Sequence, residues 1–320
     1  MRALRGASVL LFACCALVLA GCHEDPPPPT PGSFLDTLRV LGVKADPPEI
    51  TPNDQSILTT LVYDPKLYPD QMVAIWVFCE PSPTSTLGTK CADAQTARDP
   101  SSIISSLFSQ SDPAIQIRLF DRMKTSYRPS DQLRTMFNRM SDIDRQRGVS
   151  VDVVLLVFES TDLTEVMLDL NSREPSIPSV FTLKTLRVAE PAGQANTNPT
   201  IEAFRVQGRE TEANETVLQP GLKRIELSVL PSQDSLQTFT RYLPDGTVLQ
   251  QQEELSVSWF TTIGSFEEGN EAAARTSGAN PIHLLLDPSV PRQSAAEVYA
   301  VMRDGRGGTD WAVRTIKVSP

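Results

Sequence analysis

The chain has 320 residues, and 39 Asp and Glu against 29 Lys and Arg give it a formal net charge of −10. This excess of negative charge repels nucleic-acid phosphates, and no run of Lys or Arg exceeds two residues. We therefore expect no nucleic-acid partner, and no attachment to anionic lipid headgroups through a basic patch.

The first 22 residues have the parts of a secretory leader. Arg2 and Arg5 form a basic start, residues 9–19 are apolar, and small residues precede Cys22. The apolar run is too short to span a bilayer stably. We predict that residues 1–21 are a signal peptide.

The end of this leader, Leu19-Ala20-Gly21-Cys22, resembles the lipobox of bacterial lipoproteins. The resemblance implies cleavage before Cys22 and lipidation of the new N-terminus, for example with palmitate. It places the protein in the cell envelope, held to a membrane by its lipid. His23, rather than Asp, follows the cysteine, which under a sorting rule known from some bacteria implies the outer membrane, on either face.

A proline-rich tether follows the lipid site, over residues 22–35, with four consecutive prolines at 26–29. Such segments favour the polyproline II conformation, which would hold the folded part roughly 30 Å from the headgroups.

Short β-branched runs bounded by Pro and Gly predict a mainly β fold. The runs occur in two similar series, which predicts two copies of one β-unit. In the first copy the predicted strands cover residues 37–43, 56–63, 72–79, 151–159 and 181–188. In the second they cover residues 200–206, 222–230, 254–260, 296–303 and 311–318.

The third strand of each copy carries a tryptophan, Trp76 or Trp259, and this pattern resembles an immunoglobulin-like β-sandwich. The resemblance implies that both tryptophans are core residues. We predict two such domains in tandem, at residues 36–190 and 200–320, joined by a Pro/Asn-rich linker at 191–199.

The glycine-rich segment before the last strand resembles the closing hairpin of PKD-like modules. Its residues are Asp304, Gly305, Gly307 and Gly308. Gly permits positive φ and Asp can accept hydrogen bonds from backbone amides, so we interpret the segment as a structural turn rather than a phosphate loop.

The first domain holds an insertion, at about residues 80–150, that is partly helical by its pattern. One helix is predicted near Asp99, and a longer one from Asp131 towards Gly148. Between them, residues 115–119 alternate like a strand. The apolar positions of the longer helix share one face. They are Leu133, Met136, Phe137, Met140 and Ile143.

Two hypotheses remain for this insertion. It either pads one sheet face or forms a recognition element, and its exposed side is the one locally basic surface that the sequence predicts. The polar residues of that side are Arg134, Arg139, Asp142, Arg145 and Arg147.

Two cysteines remain outside the leader and lipid site, Cys79 and Cys91. An even pair in an oxidising compartment predicts one disulfide, with two unpaired thiols as the alternative.

Motifs that carry chemistry are scarce. His23 lies on the tether, and His283 is a lone histidine in an apolar run. We predict no cofactor. Calcium at the linker has weak support, from Glu190, Asn196 and Asn198.

We therefore expect a non-enzymatic, lipid-anchored envelope protein that binds a protein or glycan partner through Ig-like domains. A structural subunit of an envelope assembly is the alternative, and a hydrolase using Asp and Glu is a third hypothesis. Only Trp311 lacks a core explanation and could offer a glycan-stacking platform.

Overall fold

A computed structural model describes most of the chain beyond the tether. The described residues are 32–81, 115–118, 123–172, 175–191, 193–211, 215–218, 222–243, 247–267, 271–275, 278–279, 281–286 and 295–318. They belong to one compact unit, Gly32–Pro320. The signal peptide, the lipid site at Cys22, most of the tether, Cys91 and the helix predicted near Asp99 lie outside the described residues.

The first β-sandwich is formed by eight described strands. They are β1 (Arg39–Asp46), β2 (Glu49–Ile50), β3 (Ser56–Tyr63), β4 (Val73–Cys79), β5 (Ile115–Arg118), β6 (Lys124–Tyr127), β7 (Val149–Phe158) and β8 (Ser179–Val188). One sheet has the order β1-β3-β6 and the other β2-β8-β7-β4-β5. All pairings are antiparallel except that of β2 with β8.

The second sandwich and an attached hairpin contain the remaining described strands. They are β9 (Ile201–Val206), β10 (Arg209–Glu210), β11 (Glu215–Leu218), β12 (Arg224–Pro231), β13 (Thr238–Tyr242), β14 (Val248–Gln252), β15 (Leu255–Thr261), β16 (Ser265–Phe266), β17 (Glu271–Arg275), β18 (Gly278–Ala279), β19 (Ile282–Leu285), β20 (Ala295–Arg303) and β21 (Thr309–Val318). The two sheets have the orders β10-β9-β12-β19-β16 and β11-β21-β20-β15-β17-β18, and β13 pairs with β14 as a separate hairpin.

Both sandwiches have the same strand arrangement. In each, a central strand with a tryptophan, β4 or β15, pairs with the penultimate long strand, β7 or β20. That strand pairs with the last one, β8 or β21, which pairs in parallel with a short early strand, β2 or β11. This is the arrangement of an immunoglobulin-like sandwich, and Trp76 and Trp259 are 0% and 1% exposed. The predicted mainly β fold with two tandem sandwiches is confirmed.

Strand β4 is buried at all seven positions, because its sheet is covered on both faces. Trp76 and Phe78 belong to the core between the sheets. The alternate residues Ile75 and Val77 join an outer cluster that includes Val166. Val166 lies on a helix that the sequence pattern did not predict, which pads the outer face of this sheet.

Three α-helices are described, all within the first sandwich domain. They are α1 (Asp131–Asn138), α2 (Asp142–Arg147) and α3 (Leu163–Leu170), and short 3₁₀ helices cover Pro69–Gln71 and Gln233–Ser235. No helix in the described part of the chain has the length and apolarity needed to cross a membrane.

The prediction of one long helix from Asp131 to Gly148 is wrong. The helix ends at Asn138, and a second one starts after Ser141, whose hydroxyl accepts a hydrogen bond from the Asp144 amide at 3.2 Å. A serine in extended conformation that caps the next turn interrupts the first helix. Gly148, at φ 70°, ends the second helix.

This break decides which apolar side chains reach the core. Leu133 and Phe137 are fully buried, and Met136 and Met140 pack against the same core. Ile143 lies on the second helix and is 55% exposed, so its predicted place on the apolar face is wrong.

Helix α1 is anchored at its start by a buried carboxylate. Glu80, directly after β4, accepts hydrogen bonds from the Tyr127 hydroxyl at 2.7 Å and the Ser130 amide at 2.8 Å. The Ser130 hydroxyl also donates to Glu80, and accepts from the Leu133 amide. Burial beside this carboxylate raises the pKa of Tyr127 far above its usual value, so the phenol stays protonated as the donor.

Phe137→Ala removes a buried ring from the first core, and we expect the free energy of unfolding to fall by about 3–5 kcal/mol. Ile143→Ala is the matched control, with an expected change below about 1 kcal/mol. Urea denaturation followed by tryptophan fluorescence measures both values. Equal losses in the two variants would contradict the break between α1 and α2.

Candidate functional site

The turn at residues 304–308, here called the closing turn, joins β20 to β21. The Asp304 carboxylate accepts hydrogen bonds from the Arg306 amide at 2.7 Å and the Gly308 amide at 2.8 Å. Gly305 and Gly307 have φ values of 74° and 109°, which favour glycine. This geometry projects Arg306 away from its own sheet and towards the first sandwich.

Arg306 is the centre of a buried ion network that joins the two sandwiches. Its guanidinium nitrogens lie 2.8 Å from Glu253 Oε1 and 3.3 Å from Glu49 Oε2, and Arg187 Nε lies 3.2 Å from Glu49 Oε1. Glu49 and Arg187 belong to the first sandwich, whereas Glu253 and Arg306 belong to the second. The two glutamate side chains are 2% and 1% exposed. We call Glu49, Arg187, Glu253 and Arg306 the ion network.

Backbone amides and an aromatic ring complete the network. Glu49 also accepts a hydrogen bond from the Asn196 amide at 2.7 Å, and Glu253 accepts one from the Gln237 amide at 3.1 Å. The Arg306 guanidinium lies 4.4 Å from the centre of the Phe239 ring. Burial raises the pKa of Glu253, an effect opposed by the hydrogen bonds from Gln237 and Arg306.

Two of the three linker residues proposed as calcium ligands, Asn198 and Glu190, use their side chains for contacts within the protein. Asn198 bridges the sandwiches, since its side chain donates to Ala45 O at 2.8 Å and accepts from the Thr309 amide at 2.9 Å. Glu190 forms an ion pair with Arg145 at 3.1 Å. The described residues contain no cluster of three His, Cys, Asp or Glu side chains that could hold a metal.

An apolar cluster lies beside the ion network and spans both sandwiches. Leu41 and Leu61 from the first sandwich pack with Tyr299, Val301 and other residues of the second. An ion pair also joins the two sandwiches, since Lys44 Nζ of the first lies 3.1 Å from Asp310 Oδ1 of the second.

Glycine at position 42 permits a close approach of the two sandwiches. A Cβ atom there would lie 3.2 Å from Val301 Cγ1 and 3.6 Å from the Trp311 ring. Trp311 is half-buried in the same cluster, so it is not simply a free platform. It also lines a shallow pocket of about 530 Å³ with Glu202 and Arg314.

The first described residues of the chain bind to the second sandwich. The Leu35 amide donates to Thr261 O at 2.8 Å, and the Thr261 amide donates to Ser33 O at 2.9 Å. Leu35 itself is buried in the apolar cluster between the sandwiches. The last residues of the predicted tether, 33–35, are therefore held where the two sandwiches meet.

The hairpin β13–β14 makes a third contact, with the insertion. The Tyr242 hydroxyl donates to Gln146 at 2.5 Å, and the Arg147 side chain donates to Leu243 O at 3.0 Å. Helix α2 thus supports the second sandwich as well as the first.

Part of the basic surface predicted on the insertion is paired with carboxylates. Arg145 pairs with Asp142 at 2.5 Å as well as with Glu190, and Arg134 pairs with Asp131. Acidic residues one helical turn away thus compensate these arginines.

An interdomain cleft of about 500 Å³ opens next to the closing turn, between β1, β8 and β20. Four basic residues line it, and the described lining residues include no acidic one. The basic residues are Lys184, Arg187, Arg303 and Arg306.

The other residues singled out from the sequence are dispersed. Cys79 is fully buried at the end of β4, and its predicted disulfide with Cys91 stays a prediction, because Cys91 lies outside the described residues. His283 is half-buried on β19, opposite Glu226. The sequence pattern missed the ion network entirely.

The chain matches no protein-family profile and no curated protein. It is similar to the tandem V-type regions of VCBP3, a v-region-containing chitin binding protein, with 10% identity, TM-score 0.30 and coverage of 89% of this chain and 100% of that one. It is also similar to the Ig1-2 module of the Drosophila receptor protein tyrosine phosphatase DLAR, with 9% identity, TM-score 0.25 and coverage of 89% and 100%. A third similarity is to the Yersinia pseudotuberculosis adhesin InvE, with 9% identity, TM-score 0.21 and coverage of 89% and 60%. These superpositions are weak, so the description of the sandwiches rests on their strand order.

Glu49→Gln removes the charge that two arginines share, and we expect the free energy of unfolding to fall by about 3 kcal/mol. Glu267→Gln removes a carboxylate from a solvent-exposed pair with Arg224, and should cost less than about 1 kcal/mol. Urea denaturation of both variants at neutral pH provides the comparison. A loss for Glu49→Gln no larger than that of the control would show that the ion network does not hold the sandwiches.

Proposed function

We propose that this chain is a lipid-anchored protein of the cell envelope that binds a protein or glycan partner without catalysing a reaction on it. The observation that carries the proposal is the connection between the sandwiches. An ion network, an apolar cluster and a hairpin contact hold them together, so their edges and loops are presented in one arrangement. Such preorganisation reduces the entropy lost on binding.

The sequence before the described residues supports the anchor. Residues 19–22 resemble a lipobox, and residues 23–31 lie between the proposed lipid and the first described residue. Because residues 33–35 bond to the second sandwich, the tether would reach the junction of the two sandwiches.

Exposed apolar side chains mark surfaces on which a partner could be sought. In the described residues, Tyr68 is 75% exposed and Leu168 is 70% exposed on the first sandwich, and Val248 is 54% exposed on the hairpin. These residues lie in or beside separate elements, so together they sample different parts of the described surface.

Cys22→Ala removes the proposed lipid site, and we expect the protein to move from the membrane to the soluble fraction and to lose labelling by palmitate. Cys14→Ala is the matched control, because that cysteine would leave with the signal peptide. Ultracentrifugation and metabolic labelling measure the two effects. Retention of both membrane association and label in Cys22→Ala would refute the anchor.

Photo-crosslinking residues placed singly at Tyr68, Leu168 and Val248 in the full-length protein in cells test the binding role. We expect a discrete adduct from at least one position, and its loss in the same variant carrying Cys22→Ala. Mass spectrometry identifies the partner. Absence of adducts at all three positions would count against binding, whereas stoichiometric co-purification without crosslinking would favour a structural subunit of an assembly.

A further inference from the structure

The interdomain cleft concentrates positive charge on a protein whose net charge is −10. Four basic side chains line it, and the nearest carboxylates of the ion network neutralise only some of them. Glu49 is shared between Arg187 and Arg306, and Glu253 pairs with Arg306 alone.

Lys184 donates to uncharged oxygens. Lys184 donates to the carbonyl oxygen of Gly307 and, at 3.2 Å, to the hydroxyl of Thr309. Arg303 donates to Leu41 O and to the Ser258 hydroxyl, both at 2.9 Å. An ammonium group has three donor hydrogens, so Lys184 retains the capacity for one more acceptor.

The size and composition of the cleft suit a small ligand. Its volume of about 500 Å³ lies within the range of small-molecule pockets. The hydroxyl-bearing residues Ser150, Thr182 and Thr185 also line the cleft. They offer further hydrogen-bonding groups beside the basic side chains.

We propose that the interdomain cleft binds a small anion through a carboxylate or a tetrahedral oxyanion group, with Lys184 as the principal contact. The ligand is of the size of an acidic monosaccharide or dipeptide. Arg303 and the arginines of the ion network set a positive field at the cleft, and the threonine side of the cleft contacts the uncharged part of the ligand. This inference goes beyond the proposed function and does not depend on it.

The lysine also predicts how binding depends on pH. Burial lowers the pKa of Lys184 to about 8, with the Arg303 charge acting in the same direction and Asp304 opposing it. The ammonium form, which attracts an anion, is therefore lost as pH rises from 7 to 9. If only that form binds, the dissociation constant should rise about tenfold across this interval.

The experiment uses the full-length protein purified in an uncharged detergent, so it is independent of where the protein resides. Isothermal titration calorimetry measures binding of two probes, sulfate and malonate. Tighter binding of malonate would identify the carboxylate as the preferred group, and tighter binding of sulfate the tetrahedral oxyanion. Sulfate keeps its charge between pH 7 and 9, so it also serves for the pH series.

Lys184→Gln should raise the dissociation constant at least tenfold and abolish the pH dependence. Lys66→Gln is the matched control for net charge, because Lys66 is exposed, pairs with Glu159 and does not line the cleft. It should bind as the unmodified protein does.

Thr182→Asp is a second variant, which adds a negative charge to the cleft wall and leaves the ion network intact. It decides the matter if Lys184→Gln does not fold, as judged by circular dichroism. The proposal is overturned if neither probe binds at a probe concentration of about 10 mM, roughly tenfold above a millimolar dissociation constant. Unchanged binding in folded Lys184→Gln or in Thr182→Asp would equally overturn it.

Discussion

A carboxylate that is almost completely removed from water needs compensating hydrogen-bond donors, or it destabilises the fold by several kcal/mol. Glu49 has this requirement. Its Oε2 accepts hydrogen bonds from Asn196 and Arg306, and its Oε1 forms an ion pair with Arg187, so its partners come from three separate parts of the chain. Arg187 is supplied by the neighbouring strand of the same sandwich, Asn196 by the linker, and Arg306 by the second sandwich. Separating the sandwiches would leave Glu49 with fewer donors, because Arg306 belongs to the second sandwich. Docking of the sandwiches is therefore coupled to satisfaction of buried charge.

One less directional contact acts together with this requirement. The apolar cluster around Leu41 and Val301 removes apolar surface from water wherever the two faces meet, but it does not by itself define an angle. The ion network and the Tyr242–Gln146 hydrogen bond define that angle, because hydrogen bonds depend on direction as well as distance. The apolar cluster thus favours association of the two sandwiches, and the polar contacts fix the angle between them.

The sequence predicted the part of this structure that depends on local periodicity. Strand positions and the buried Trp76 follow from alternation and from the repeated order, and the sandwich class follows from them. The break at Ser141 was missed because an apolar stripe continues across it, and only the competing cap interrupts the helix. The partners of Arg306 and the packing of Trp311 could not be predicted, because they depend on residues far away in the chain. A buried Glu49 looks, in sequence alone, like any polar residue near a turn.

The charges that hold the sandwiches together also form one wall of the interdomain cleft, since Arg187 and Arg306 belong to both. The cleft consequently exists only while the sandwiches are docked. A ligand that binds the docked form and not the separated one stabilises docking by RT ln(1 + [L]/Kd), which is about 2.7 kcal/mol at one hundred times Kd. Anion binding and interdomain rigidity are then two measures of one equilibrium. A substitution that loosens the ion network should weaken anion binding even where it leaves Lys184 untouched.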